Sequence, residues 1–149
     1  MRIHKRFRET IRSTQRIVMK NAEDIVQLAV VNYLRLKYPK VRFMANYLSG
    51  ARLPIYLAKK AKALGQAGQG TPDLFIFFNN GKYASLAIEL KASGKTPFKK
   101  DGVLKSDDHL NKQNDYICYL NTIGFYATFC VGIDEAISTI DRYMANELE

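Results

Sequence analysis

Residues 70–92 read Gly-Thr-Pro-Asp-Leu-Phe-Ile-Phe-Phe-Asn-Asn-Gly-Lys-Tyr-Ala-Ser-Leu-Ala-Ile-Glu-Leu-Lys-Ala. Two apolar runs, Asp73–Phe78 and Tyr83–Ala92, flank Asn79-Asn80-Gly81, the pattern of two strands joined by a turn. Three ionisable side chains interrupt it: Asp73 opens the first run, and Glu89 and Lys91 fall near the end of the second. Such groups are rare in hydrophobic strands unless they are paired, bind a metal or perform chemistry. Alternation decides which of them share a face. Ala84, Leu86, Ile88, Leu90 and Ala92 form an apolar set that must face a core, so Glu89 and Lys91 lie together on the other side. A two-residue Asn80-Gly81 turn would set Asp73 opposite Ile88, on the wrong face. An odd loop such as Asn80–Lys82, or a β-bulge, instead pairs Asp73 with Glu89, their Cβ atoms about 5 Å apart. The sequence therefore predicts an odd connection.

Two carboxylates at that separation repel each other, and a hard divalent cation resolves the conflict. Mg²⁺ or Mn²⁺ takes carboxylate, carbonyl and water oxygens. Such an ion polarises a phosphoryl oxygen and acidifies water. Lys91 would hold the water and offset charge developing on a phosphate. Glu-Leu-Lys alone also suits a salt-bridged patch on an exposed sheet face; Gly-Thr-Pro-Asp on the preceding apolar strand favours the metal site.

Outward from this hairpin the elements alternate. Asn21 is a good N-cap, Glu23 and Asp24 suit a first helical turn, and Pro39 closes a helix ending near Tyr38. Val41–Leu48 reads as a strand, Pro54–Leu64 as a short basic helix stopped by Gly65, and Gln66–Gly70 as a glycine-rich loop. Ser93–Ser106 is lysine-rich and irregular. Asp107 or Asp108 caps a helix to about Thr122, Phe125–Val131 is a strand, and Asp134–Asn146 a final helix. The order α-β-α-β-β-α-β-α implies an α/β fold, one mixed sheet with helices on both faces.

Helical spacing adds two candidates. Leu110, Gln113, Ile117 and Leu120 share a face, so Gln113 falls in a buried stripe where its amide needs a partner. It is either a satisfied core glutamine or a site residue. Glu23, Gln27, Val30 and Leu34 share another face, and Glu23 serves either the helix dipole or a metal. In Asp107-Asp108-His109 the aspartates read as caps and the histidine as solvent-exposed. Cys118 and Cys130 read as buried small hydrophobes, with no zinc site or disulfide framework.

The 149 residues suffice for one domain with a real core. With 23 Lys+Arg against 14 Asp+Glu the net charge is +9. No acidic residue occurs between Asp24 and Asp73, and residues 1–20 form a basic arm with Glu9 as its one acid. This distribution suits a polyanion, nucleic acid ahead of anionic membrane. Arg52, Lys59, Lys60, Lys62, Lys95, Lys99 and Lys100 are the candidate phosphate contacts. Lacking a long apolar stretch, the chain is expected to be soluble and cytoplasmic, in the host cytoplasm if viral.

Together, Glu23 with Gln27, Gly70-Thr71-Pro72-Asp73-Leu74, Ile88-Glu89-Leu90-Lys91-Ala92 and Gln113 resemble the VRR-NUC family, virus-type replication-repair nucleases of the PD-(D/E)xK superfamily. The resemblance runs from about Asn21 to Met144, taking residues 21–149 as the nuclease domain behind the arm. Thr71 stands where valine or a similar residue is common. The resemblance implies a restriction-endonuclease-like core and a metal-dependent phosphodiesterase. Asp73, Glu89 and the Leu90 carbonyl would be ligands, Lys91 would position the water, and Glu23 and Gln113 would complete the site. It further implies a homodimer acting on branched DNA such as Holliday junctions. The competing functions are a flap- or end-directed nuclease and a non-catalytic nucleic-acid-binding protein.

Overall fold

The two apolar runs become the paired centre of a four-stranded sheet. The computed structural model describes residues 21–46, 53–65 and 70–149. The basic arm, Arg52, the end of the strand expected to reach Leu48 and most of the glycine-rich loop lie outside them. The elements are α1 (Ala22–Lys37), β1 (Arg42–Ala45), α2 (Ile55–Ala63), β2 (Leu74–Phe77), β3 (Leu86–Lys91), α3 (Asp108–Thr122), β4 (Tyr126–Val131) and α4 (Gly132–Met144). Their order is the one expected. The strands lie side by side as β1-β2-β3-β4, antiparallel except for the parallel pair β3/β4. The antiparallel pair β2/β3 needs only a local turn, whereas β1 and β2 are joined through α2, and the parallel pair needs a crossover, which α3 supplies.

Both faces of β3 are covered. Leu86, Ile88 and Leu90 pack with Leu74 and Ile76 against Val26, Val30 and Leu34 of α1 and Ala136, Ile140 and Tyr143 of α4. On the opposite face Phe75, Ala87, Ala127 and Phe129 meet Ile117 and Leu120 of α3. Each Val, Leu, Ile or Phe among them contributes roughly 1.5–3 kcal/mol on burial, and these two layers fix where the helices sit. Ala84 departs from the expected apolar set: it precedes the strand and is exposed, its N–H donating to the Gly124 carbonyl at 2.8 Å.

The capping logic holds at both helices that reach the site. Asn21 Oδ1 accepts the Asp24 N–H at 2.9 Å and the Asp24 carboxylate accepts the Asn21 N–H at 3.3 Å, a reciprocal capping box at the start of α1. Asp107 Oδ1 accepts the Leu110 N–H at 2.9 Å and starts α3. The far end of α3 is clamped to β4 by Asn121, whose amide exchanges two hydrogen bonds with the Ala127 backbone at 2.8 and 3.0 Å. Cys118 is exposed rather than buried, because it sits one position beyond the Gln113-Ile117-Leu120 stripe; Cys130 is buried as expected. Among the described residues no helix is long and apolar enough to cross a membrane.

The β2/β3 connection is odd. Leu74 pairs with Ile88, Phe75 with Ala87 and Ile76 with Leu86, so nine residues, 77–85, lie between the last pair. The tight Asn80–Lys82 loop does not form. Asn80 Oδ1 accepts the N–H groups of Lys82 and Tyr83 at 3.0 and 2.8 Å, and Asn80 Nδ2 donates to the Tyr143 carbonyl at 3.0 Å. The Tyr143 hydroxyl returns a bond to the Phe78 carbonyl at 2.6 Å. These side-chain bonds satisfy backbone groups that a wider loop leaves off the ladder, and tie the turn to α4.

Candidate active site

Carried one step beyond Leu74↔Ile88, the register sets Asp73 across from Glu89, and one further step sets Pro72 across from Leu90. The N–H and C=O of a residue in an antiparallel strand point to the same neighbour. Leu90 therefore aims both groups at β2. Its N–H goes to Asp73 Oδ2 at 2.9 Å, and its carbonyl meets Pro72, which has no N–H to give. The ladder ends there, with no main-chain N–H opposite that oxygen. Asp73 is held from the other side as well: its carbonyl accepts from the Asn46 N–H at 2.7 Å and from Gln27 Nε2 at 2.9 Å. Gln27 thus ties α1 to the start of β2.

Glu89 and Lys91 share the face covered by α3, and neither is exposed: Glu89 retains 2 % and Lys91 7 % of its surface. The exposed salt-bridged patch is excluded. Lys91 Nζ donates to Glu89 Oε1 at 3.1 Å and to Gln113 Oε1 at 2.8 Å, and lies 5.8 Å from the centre of the Phe129 ring. Gln113 Nε2 donates to the same Glu89 Oε1, closing a three-membered ring of side chains. Gln113, 2 % exposed, lies in the buried stripe with its amide bonded to Lys91 and Glu89.

Glu89 Oε1 takes two donors, whereas Oε2 is buried with no hydrogen-bond partner. Burial, then the charge of Asp73, push the Glu89 carboxyl up from 4.5 to about 8, against the opposing pull of Lys91. A buried acid with a bare oxygen and a second carboxylate across the ladder offer oxygen donors of the kind a hard divalent cation takes. Among the described residues no three His, Cys, Asp or Glu side chains group closely enough to hold a metal.

These residues border a cavity of about 90 Å³ lined by Asn21, Glu23, Asp24, Gln27, Asp73, Glu89, His109 and Gln113. Glu23 is exposed on its wall, close enough for its charge to add to the raised Glu89 pKa. His109, read from sequence as merely exposed, also lines it, with Nε2 3.0 Å from Gln113 Nε2. The available signal was the four-residue spacing of His109 and Gln113, which stacks them on one helical face. Lys59, Lys60 and Lys62 on α2, and Lys95, Lys99 and Lys100 in the loop before α3, are exposed and line no part of this cavity.

A family model for the VRR-NUC domain matches residues 8–134. The chain belongs to the VRR-NUC family. The matched span takes in residues 8–20 of the basic arm as well as the two helices and hairpin of the site. A solved structure described as a VRR_NUC domain protein is similar, with a TM-score of 0.61 at 28% identity over 86% of this chain and 92% of that one. No curated protein matches the sequence. VRR-NUC membership places the chain among nuclease-type domains, with DNA as substrate class.

Two residues beside the catalytic candidates show how tightly this corner of the VRR-NUC domain is built. Gly70, at φ 72°, lies so close to α3 that an added Cβ would sit 2.6 Å from the Gln113 nitrogen. Thr71 has a buried hydroxyl with no partner. Replacing it with valine removes an unsatisfied polar group while keeping the shape, so Thr71→Val is expected to stabilise the fold by about 1 kcal/mol and raise the unfolding midpoint by a few degrees. Thermal melts of the two proteins in one buffer check this, and a lower midpoint would show that the hydroxyl is bonded in solution.

Proposed function

We propose that this VRR-NUC chain is a divalent-metal-dependent endodeoxyribonuclease that cuts branched DNA, with the four-way junction as its preferred substrate. The observation that carries the metal-dependent part is the bare, buried Oε2 of Glu89, set across from Asp73 in a polar cavity. Mg²⁺ or Mn²⁺ would be held by Asp73, Glu89 and the Leu90 carbonyl, with Glu23 as a candidate further ligand on the wall. When bound, such a cation supplies polarisation of a phosphoryl oxygen and acidification of water. Lys91 has three N–H groups, two of them engaged by Glu89 and Gln113. The third is available to orient the attacking water and to offset charge developing on the phosphate. Gln113 fixes the directions of both Glu89 and Lys91. The net charge of +9 supports phosphate binding over a wide surface. The preference for junctions rests on the family resemblance, and a homodimer would match the two-fold symmetry of such a substrate.

The test offers labelled four-way junction, 5′ flap and linear duplex, each with Mg²⁺, Mn²⁺ or EDTA, to the native chain, Asp73→Asn and Lys91→Ala. Paired symmetric nicks in the junction, dependent on metal and lost in both variants, are expected. Lys91→Ala should still bind the junction in a gel shift, separating affinity from chemistry. Preferential flap cutting would replace the substrate half of the proposal. Cutting that is equal in EDTA, or equal in all three proteins, would sink the mechanism.

A further inference from the structure

Gln113 is an amide wedged between a cation and an acid, and its orientation is decided by chemistry. The Lys91 ammonium has only donors, so the Gln113 oxygen must face it, at 2.8 Å. Both amide N–H groups are then directed away from Lys91. One goes to Glu89 Oε1. The other has His109 Nε2 in reach at 3.0 Å. An N–H can bond to an imidazole nitrogen only where that nitrogen keeps its lone pair, so this contact is a hydrogen bond when His109 carries its ring proton on Nδ1.

We infer that His109 is a positioning residue, accepting the second amide N–H of Gln113 and so locking the orientation that presents Oε1 to Lys91 and Nε2 to Glu89. The inference rests on the reading of Lys91 and Glu89 as the reacting centre. His109 need not touch DNA. It stands in the first turn of α3, one turn before Gln113, and lines the cavity while remaining open to solvent. Without it a buried amide N–H loses its acceptor, and Gln113 gains a reason to turn towards water in the cavity. Lys91, which shares its donors between Gln113 and Glu89, would turn with it. Partners of this kind, one step removed from the chemistry, typically change activity by 10–100-fold in metal sites.

Two measurements test this. The chain has two histidines, His4 and His109, so ¹⁵N imidazole spectra of the native protein and His109→Gln assign the His109 signals without ambiguity. In alkaline, metal-free buffer, where imidazole is neutral, His109 is expected as the Nδ1–H tautomer with Nε2 as acceptor. The Nε2–H tautomer would overturn the inference. In cleavage assays His109→Leu, which fills the space without an acceptor, should lower kcat roughly tenfold with KM for DNA unchanged, while His109→Gln, whose Oε1 reaches the same place, should stay within about threefold of native. Equal loss in both variants, or loss in neither, would also overturn it. If the native chain cuts no DNA, the proposed function falls but the tautomer still decides this inference.

Discussion

A Glu89→Gln variant is expected to be more stable than the native chain in metal-free buffer, and to have lost nuclease activity. The native carboxyl is pushed up to about 8, first by burial and then by Asp73. Below the ordinary glutamate range, folded and unfolded chains both carry the proton, and the residue adds no pH dependence. From 4.5 to about 8 the unfolded chain releases its proton while the folded chain keeps it, so native stability falls as pH rises. Above about 8 both forms are ionised and the curve is flat. Glutamine does not titrate. The gap between the two proteins should therefore open across this window, reaching about 4 kcal/mol and a midpoint difference on the order of 10 °C. Adding Mg²⁺ or Mn²⁺ should raise the native midpoint and leave that of the variant unmoved. Cleavage should drop by about a thousandfold or more, since the lost ligand removes several kcal/mol of charge stabilisation. Melts across pH, with and without metal, read all of this. Parallel native and variant curves would show that Glu89 is not strained in the resting protein.

Gly70→Ala should be the most damaging small substitution in the fold. Its Cβ would run into the backbone of Lys112 and Gln113, and main chain in the middle of a helix cannot step aside. The residue also needs a left-handed conformation, at φ 72°. Overlap and strain together should cost about 3 kcal/mol or more. Gly81 is the control: it too has a positive φ, of 92°, but an added Cβ meets nothing within 4 Å. Gly81→Ala should cost about 1 kcal/mol, from conformation alone. Denaturant unfolding measures both. The Gly70 variant should also be inactive at temperatures where it remains folded, because the overlap pushes on the segment that carries Gln113. Similar losses for the two alanines would mean that α3 accommodates the contact.

What could be read from the sequence was whatever a short-range rule controls. Strand alternation placed Glu89 with Lys91, and the need to bring Asp73 to them predicted an odd connection, which the Leu74↔Ile88 register bears out. Helical spacing put Gln113 in the buried stripe, and turn chemistry found the Asn21 and Asp107 caps. What escaped depends on where helices sit after packing. Nothing local says that the first turn of α3 faces the N-terminus of α1, so His109 read as an ordinary exposed histidine. Nor does residue type say which glycine is approached by another backbone; Gly70 looked like one more loop glycine. Cys118 was misplaced by treating cysteine as a small hydrophobe, when its position on the helix was the better guide.

The turn from residue 77 to 85 touches no reacting group, yet the pairing on either side of it decides which face the reacting groups occupy. Side chains alternate with a period of two, so a slip of β3 by one position against β2 would send Glu89 and Lys91 into the apolar face, exchanging them with Ile88 and Leu90. Nine residues off the ladder give the chain room to absorb an insertion without such a slip. Lineages of this chain should therefore differ in length inside that turn and not within the strands that it joins.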